Sequence, residues 1–355
     1  MQKIFTYLCI GCLGILFGGC VETVDLEAPR IEDELVIYGA LHAGVGRNEV
    51  QLGYTQRFGT FSIQPETGAS VRFMDSRGEV YSCVEETPGT YVWVNTDRPV
   101  RAGESFTLEV STAAGITYKS TPETVPGFLP IKDIYFTLND DVIEDQFGNE
   151  FTQTFVDVFV DIDIREYEGT PLLRWRTENA YTFREIELPT FCPPQNPIKR
   201  CYINDGVKQP EEVLLLDGND VERGEVKGIW VGRKAFDSTF NDVNVFRVFQ
   251  RTLTLTGFTY WVNQEKVFSQ GGSIFDSSPT SVRGNLVNQN DPEDQILGNF
   301  EVFSADTALI SMTLTDFTPD IPPEICVFRR CNVNAPCLAC ELVPNSSLTK
   351  PDFFP

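Results

Sequence analysis

Residues 155–164 read Phe-Val-Asp-Val-Phe-Val-Asp-Ile-Asp-Ile, a period-two alternation that suits an extended strand. Successive strand side chains point to opposite sides, so Val156, Val158, Val160, Ile162 and Ile164 share one face. A helix would scatter these β-branched residues around its circumference. A strand with one uniformly apolar face must bury that face against another layer. The chain is therefore expected to be built from packed sheets.

The same pattern recurs in shorter form over residues 34–125. Apolar and polar residues alternate in Leu35-Val36-Ile37-Tyr38, Val50-Gln51-Leu52, Val71-Arg72-Phe73, Tyr91-Val92-Trp93-Val94, Phe106-Thr107-Leu108-Glu109-Val110 and Ile116-Thr117-Tyr118. Turn dipeptides separate the runs: Arg77-Gly78, Pro88-Gly89, Ala102-Gly103 and Ala114-Gly115. Several short strands with regular turns predict an immunoglobulin-like or transthyretin-like sandwich. Pro122, Pro126 and Pro130 then interrupt the pattern, because proline cannot donate into a ladder. They mark the boundary of a second, larger β-rich domain over 131–342. Its strands are expected at 155–164, 172–176, 213–216, 243–256 and 309–314. Phe258, Trp261, Val262, Glu265 and Phe268 recur at helical spacing and predict one amphipathic helix against the sheet. The fold expected is mostly β, with one or two short helices and a tail over 343–355.

The first residues carry a different signal. Lys3 precedes an apolar stretch from Ile4 to Phe17, followed by Gly18-Gly19-Cys20. That stretch is shorter than the ~20 residues a membrane span needs. A charged start, a short apolar core and small residues before the cut describe an export signal. Residues 1–19 are read as a lipoprotein signal peptide, Cys20 as the lipidated residue, and 20–33 as a polar tether. Phe17 stands where leucine is commoner, and the earlier Cys12 leaves too short an apolar core. The expected contact with the bilayer is the lipid on Cys20.

Export decides how the cysteines are read. In an oxidising exterior they form disulfides. Cys192 and Cys201 bracket the proline-rich loop Cys192-Pro193-Pro194-Gln195-Asn196-Pro197, and Cys326, Cys331, Cys337 and Cys340 form a terminal knot. Four cysteines allow three pairings, and spacing does not choose among them. Zinc held by those four thiolates is the less favoured reading, because zinc needs reduced thiols. Cys83 is left over in a strand-like run and is expected to be a buried free thiol.

Charge excludes one partner class. Lys and Arg total 28 against 51 Asp and Glu, a formal charge of −23. Such a chain repels nucleic acid and anionic lipid surfaces.

Several stretches together resemble one known family. Glu34-Leu35-Val36-Ile37-Tyr38-Gly39 matches its opening strand, and Gly68-Ala69-Ser70-Val71 with Pro88-Gly89-Thr90-Tyr91 its first sandwich. Pro130-Ile131-Lys132-Asp133-Ile134 is similar to its interdomain entry. Gly271-Gly272-Ser273-Ile274-Phe275-Asp276, Pro279, Gly284-Asn285 and Ile296-Leu297-Gly298-Asn299-Phe300 form the most specific part. Cys337-Leu338-Ala339-Cys340 and Lys350-Pro351-Asp352-Phe353-Phe354 also look alike. On these residues the chain resembles the Bacteroidota lipoprotein family with domain of unknown function 4249. It departs from the family at Asn299, where a tyrosine is usual, and has Phe where Trp is common in the terminal motif. The resemblance implies an outer-membrane lipoprotein working beside a TonB-dependent transporter, and implies no activity. Glu22, Asp25 and Glu27 follow the cysteine, as acidic residues do in surface-displayed lipoproteins of that group.

No catalytic constellation is read from the sequence. His42 is the single histidine, no Gly-x-Ser-x-Gly elbow accompanies it, and the expected place for it is a turn or loop. One histidine makes no typical metal site. Carboxylates suit calcium, and two groups are candidates: Asp157, Asp161 and Asp163 along one strand, and Asp140, Asp141, Glu144 and Asp145 in a loop running to Gly148-Asn149. A solvated acidic surface is the favoured alternative for both, so no cofactor is expected beyond a weak calcium candidate. Paired carboxylates that hydrolyse glycosides need a cleft that sequence does not reveal. Trp93, Trp175, Trp230 and Trp261 could stack on sugars, but each sits in an apolar-patterned run that favours core packing. The expected function is non-enzymatic: a surface lipoprotein that helps a TonB-dependent transporter capture or gate its substrate. A free-standing structural or adhesive envelope protein and a carboxylate-dependent hydrolase are the alternatives. The ligand-binding residues are not indicated.

Overall fold

The computed structural model describes residues 34–55, 64–188, 190–192, 197–207, 209, 213–269, 282–291, 293, 296–317, 326, 331, 333 and 335–355. The signal peptide, Cys20, the tether and the motif at 271–279 lie outside these residues. Glu34–Pro355 forms one compact unit.

The strands run in order β1 (Leu35–His42), β2 (Arg47–Tyr54), β3 (Gln64–Pro65), β4 (Ser70–Asp75), β5 (Val80–Ser82), β6 (Val84–Thr87), β7 (Thr90–Val94), β8 (Ser105–Ser111), β9 (Thr117–Ser120) and β10 (Glu123–Thr124). Then follow β11 (Ile131–Glu144), β12 (Glu150–Asp163), β13 (Leu172–Arg184), β14 (Arg200–Asp205), β15 (Leu214–Asp217), β16 (Glu225–Ala235) and β17 (Asn244–Leu253). Helix α1 (Leu255–Ser269) precedes β18 (Leu286–Asn288), β19 (Leu297–Met312) and β20 (Ser346–Ser347). The fold is mostly β, with α1 the one α-helix among the described residues.

Three sheets form. The largest runs β20-β14-β13-β17-β19-β1-β2-β7-β6, with β15 beside β13 and β3 beside β2. The second runs β18-β9-β8-β4-β5 with β10 beside β8, and the third is β11-β12-β16. One face of the large sheet is covered at one end by the second sheet. Ile37, Leu41, Phe73, Phe106 and Leu108 pack there with Phe300 and Val302. At the other end the third sheet lays Val156, Val158, Val160 and Ile162 against Leu173, Trp175, Phe246 and Val248. The alternation at 155–164 thus does what its pattern requires, and those four residues are fully buried.

The prolines at 122–130 mark a change of core but not of sheet. β1 pairs in parallel with β19, Ile37 opposite Gly298 and Leu41 opposite Val302. β18 extends the second sheet at β9. Late residues therefore complete the core begun by residues 34–125. Gly298 permits the close pairing: its φ is +96°, and a Cβ there would lie 1.9 Å from the Ile37 carbonyl oxygen. Asn285 then imitates a strand. Its Nδ2 donates to the Phe300 carbonyl at 2.9 Å, and its Oδ1 accepts from the Phe300 amide at 2.8 Å.

The disulfides differ from the expected grouping. Cys192 joins Cys331, Cys201 joins Cys340, and Cys326 joins Cys337. Cys192 and Cys201 do not pin their own loop, and of the terminal four only Cys326 and Cys337 close on each other. Two bridges instead span 139 residues each and tie the tail to the β14 region. Cys201 faces the core with Phe183, Ile203, Cys337 and Cys340, which brings it within reach of the tail. Cys83 is free and packs against the first core.

Candidate functional site

The face of the large sheet opposite the two cores carries the site. Its composition follows from strand parity. In β13, Leu173 and Trp175 face the core, so Leu172, Arg174 and Arg176 face outward. In β17, Phe246 and Val248 face inward, and Phe249, Arg251 and Leu253 outward. In β19, Phe300 and Val302 face inward, and Glu301, Phe303, Ala305 and Thr307 outward. In β1, Tyr38 and His42 belong to the outward set. Register aligns these residues into rows: Arg174 opposite Arg251 and then Ala305, and Arg176 opposite Phe249 and then Thr307. His42 lies opposite Phe303.

Helix α1 covers one end of this face. Phe258 is buried against Leu172, Leu253 and Phe303, with Trp261 and Val262 at the margin. The remainder is a cavity of about 600 Å³, lined by Tyr38, His42, Arg174, Arg251, Trp261 and Phe303 among others. That size falls in the range of small-molecule sites.

The charges in it are unevenly paired. Glu301 is fully buried, and Arg251 Nη1 donates to its Oε1 at 2.6 Å. Trp261 Nε1 donates to the other oxygen, Oε2. Both carboxylate oxygens are thereby occupied. Arg176 donates to Glu178 at 2.6 Å, and Glu178 also accepts from Arg247. Arg174 is different. Its guanidinium lies over the Trp261 ring, 3.4 Å from the centroid. Its Nε is sealed from solvent without an acceptor. Among the described residues no carboxylate forms an ion pair with it. Burial lowers the Arg174 pKa, opposed by the Glu301 charge, yet an arginine keeps its proton under such conditions. Burial, and then the Glu301 charge, raise the Tyr38 hydroxyl above the usual phenol range. Arg174 is thus a cavity cation held against an aromatic ring with no ion-pair partner among the described residues.

The residues singled out from the sequence are placed as follows. His42 ends β1 and lines the cavity, with Nδ1 2.7 Å from the Ala43 carbonyl oxygen. It belongs to a strand, not to a turn. Trp175 is core, and its Nε1 donates to Gln250 at 3.0 Å. Trp93 stacks on Tyr81 at 4.7 Å, and Trp230 donates to the Gly232 carbonyl. Trp261 and Trp175 line the cavity, Trp175 with its ring turned into the core.

The calcium candidates are dispersed. Asp140, Asp141 and Glu144 sit on β11, not in a loop. Asp140 accepts from Thr154, and Asp141 pairs with Arg233. Asp145 closes the hairpin turn by accepting from the Phe147 and Asn149 amides. Hydrogen bonds from Asn149 and those amides hold its pKa below the usual carboxylate value. Asp157 and Asp161 are buried rather than solvated. Asp157 pairs with Arg233 at 2.6 Å, and Asp161 accepts from the Gly228 amide at 2.8 Å. Asp163 pairs with Arg165. Among the described residues no three His, Cys, Asp or Glu side chains group closely enough to hold a metal ion.

The family whose sequence profile matches residues 21–308 is described as a domain of unknown function, DUF4249. The chain belongs to that family. No curated protein matches the chain. The DUF4249 match contains every cavity residue from Tyr38 to Thr307, and Gly284, Asn285 and Gly298 with them. It ends before Cys326, so the tail cysteines and the motif at 350–354 lie outside it. Among the described residues no helix is long and apolar enough to cross a membrane.

Sequence reasoning missed Arg174, Arg251 and Glu301. A signal was present in the strand runs. Leu172-Leu173-Arg174-Trp175-Arg176 and Phe249-Gln250-Arg251 place guanidiniums on the parity opposite the core residues, but the chain's abundance of charge hides which ones converge.

Proposed function

We propose that this chain is an outer-membrane lipoprotein, anchored through Cys20 and facing the cell exterior. It serves as a non-enzymatic binding component of a TonB-dependent transporter, helping to capture or gate the transported substrate. The observation that carries the binding role is the cavity on the large sheet. Its lining is aromatic rings and guanidinium groups, residue types that hold a ligand in place. The export signal ending at Cys20, the three disulfides and the Bacteroidota family resemblance support the location. The acidic surface favours the lipid as the sole attachment to an anionic membrane.

The test is to solubilise outer membranes gently, capture the lipidated chain and identify what accompanies it by mass spectrometry. A TonB-dependent transporter in stoichiometric amount is the expected result. Its absence overturns the transporter role and turns weight to a free-standing adhesive protein or a hydrolase.

A further inference from the structure

We propose that the cavity takes a small organic monocarboxylate, its carboxylate paired with Arg174 and its apolar body lying between Trp261, Phe249 and Phe303. This deepens the reading of the chain as a binding protein and does not depend on the transporter.

The argument is one of charge matching. Among the described residues three arginines face the cavity; Arg251 pairs with Glu301, and Arg176 pairs with Glu178, which it shares with Arg247. Arg174 has no carboxylate partner among the described residues, although it is half-buried and its Nε is sealed. A desolvated guanidinium left unpaired is costly. A chain of net charge −23 has carboxylates in excess, yet among the described residues none forms an ion pair with this group, Glu301 being taken by Arg251 and Trp261. The Trp261 ring at 3.4 Å covers one face of the guanidinium and fixes its plane. With Nε sealed, the terminal Nη groups are left for a ligand, and their paired N–H bonds can take a carboxylate through two parallel hydrogen bonds.

Arg174 is the cavity arginine that lacks a carboxylate partner among the described residues, and one negative charge answers it. A phosphate monoester would bring about two negative charges to the one cavity arginine that lacks a carboxylate partner. A neutral sugar would stack on the rings but leave the guanidinium unanswered. The flanking walls are apolar and aromatic, so the body of the ligand is too.

The probe is 3-phenylpropionate, compared with 3-phenylpropanamide, which has the same shape without the charge. Binding to the full-length chain in detergent is followed by ligand-observed NMR. Saturable binding of the acid, with the amide weaker by about tenfold or more, is expected. This contrast needs no variant. Arg174→Gln should then abolish the preference, and Arg174→Lys should keep part of it, since lysine retains the charge but not the fork. Thermal melting checks that both variants fold. Equal binding of acid and amide, binding of neither, or undiminished acid binding by a folded Arg174→Gln overturns the proposal. A chain that captures the transporter but shows no acid preference keeps the transporter reading and ends this one. The converse result does the opposite.

Discussion

Arg251 Nη1 lies 2.6 Å from Oε1 of Glu301, a carboxylate with no exposed surface. The second oxygen is held by Trp261 from helix α1. One buried charge thus joins β17, β19 and the helix that roofs the cavity. Removing one partner of a buried pair leaves the other charge unanswered, at a cost of about 3–5 kcal/mol. Glu301→Leu should lose that much in urea unfolding. Arg251→Met combined with Glu301→Leu should recover a large part, because neither charge is then stranded. Strict additivity of the two single changes would show that the pair is not coupled.

Asp75 is the second buried acid with a predictable signature. Burial alone would raise its pKa. Hydrogen bonds from the Arg77 side chain, the Glu79 and Arg77 amides and Tyr81 outweigh this and hold it at about 2. Arg98 adds a contact at 3.2 Å. The folded value lies below the unfolded one, so the stabilisation is present above the ordinary aspartate pKa of about 4. It is lost as pH falls from there through about 2. Unfolding midpoints measured across that window should decline in the wild type and decline less steeply in Asp75→Asn. Equal slopes would mean that Asp75 is not held ionised.

The strands that could be read in advance were those with one buried face. At 155–164 the alternation survives because the other face carries aspartates that pair at its edge. Helix α1 was legible because Phe258 and Trp261 to Val262 keep the helical period and pack on the sheet. β11 was not legible. It is bound only to β12, most of its residues are exposed, and Asp140, Asp141 and Glu144 look like a loop. β19 was recognised only near 309–314 because its first half is buried on both faces, which erases alternation. Its parallel pairing with β1 depends on Gly298 lying against Ile37, a contact no local pattern encodes. The cavity was hidden for the same reason: Arg174, Arg251 and Glu301 meet only once β13, β17 and β19 are side by side.

The disulfide pattern can be checked directly. Non-reducing peptide mapping should find Cys192 with Cys331, Cys201 with Cys340 and Cys326 with Cys337. Recovery of a peptide joining Cys192 to Cys201 would contradict it. Burial pushes the Cys83 thiol up to about 12, so little thiolate exists at neutral pH. Iodoacetamide should leave Cys83 unmodified in the native protein and label it once in denaturant. Replacing Cys201 and Cys340 together by serine should cost about 3 kcal/mol on the chain-entropy model, because the intact Cys192–Cys331 bridge leaves them a loop of only about 20 residues to close.

Asn299 is the last point at which the structure makes a signed prediction. It lies opposite Tyr38 in the parallel ladder and is fully buried. Neither its Nδ2 nor its Oδ1 has a hydrogen-bond partner among the described residues. A buried amide without partners costs about 1–3 kcal/mol. Leucine has a similar shape and no polar atoms, so Asn299→Leu should raise stability by about 1 kcal/mol. The urea midpoint should shift upward with an unchanged slope, since the exposed area on unfolding is the same. Asn299→Asp should act in the opposite direction, because it places a second carboxylate beside Glu301. A loss of stability in Asn299→Leu would mean that the amide is hydrogen-bonded in solution, and that this position in the sheet is polar for a reason other than tolerance.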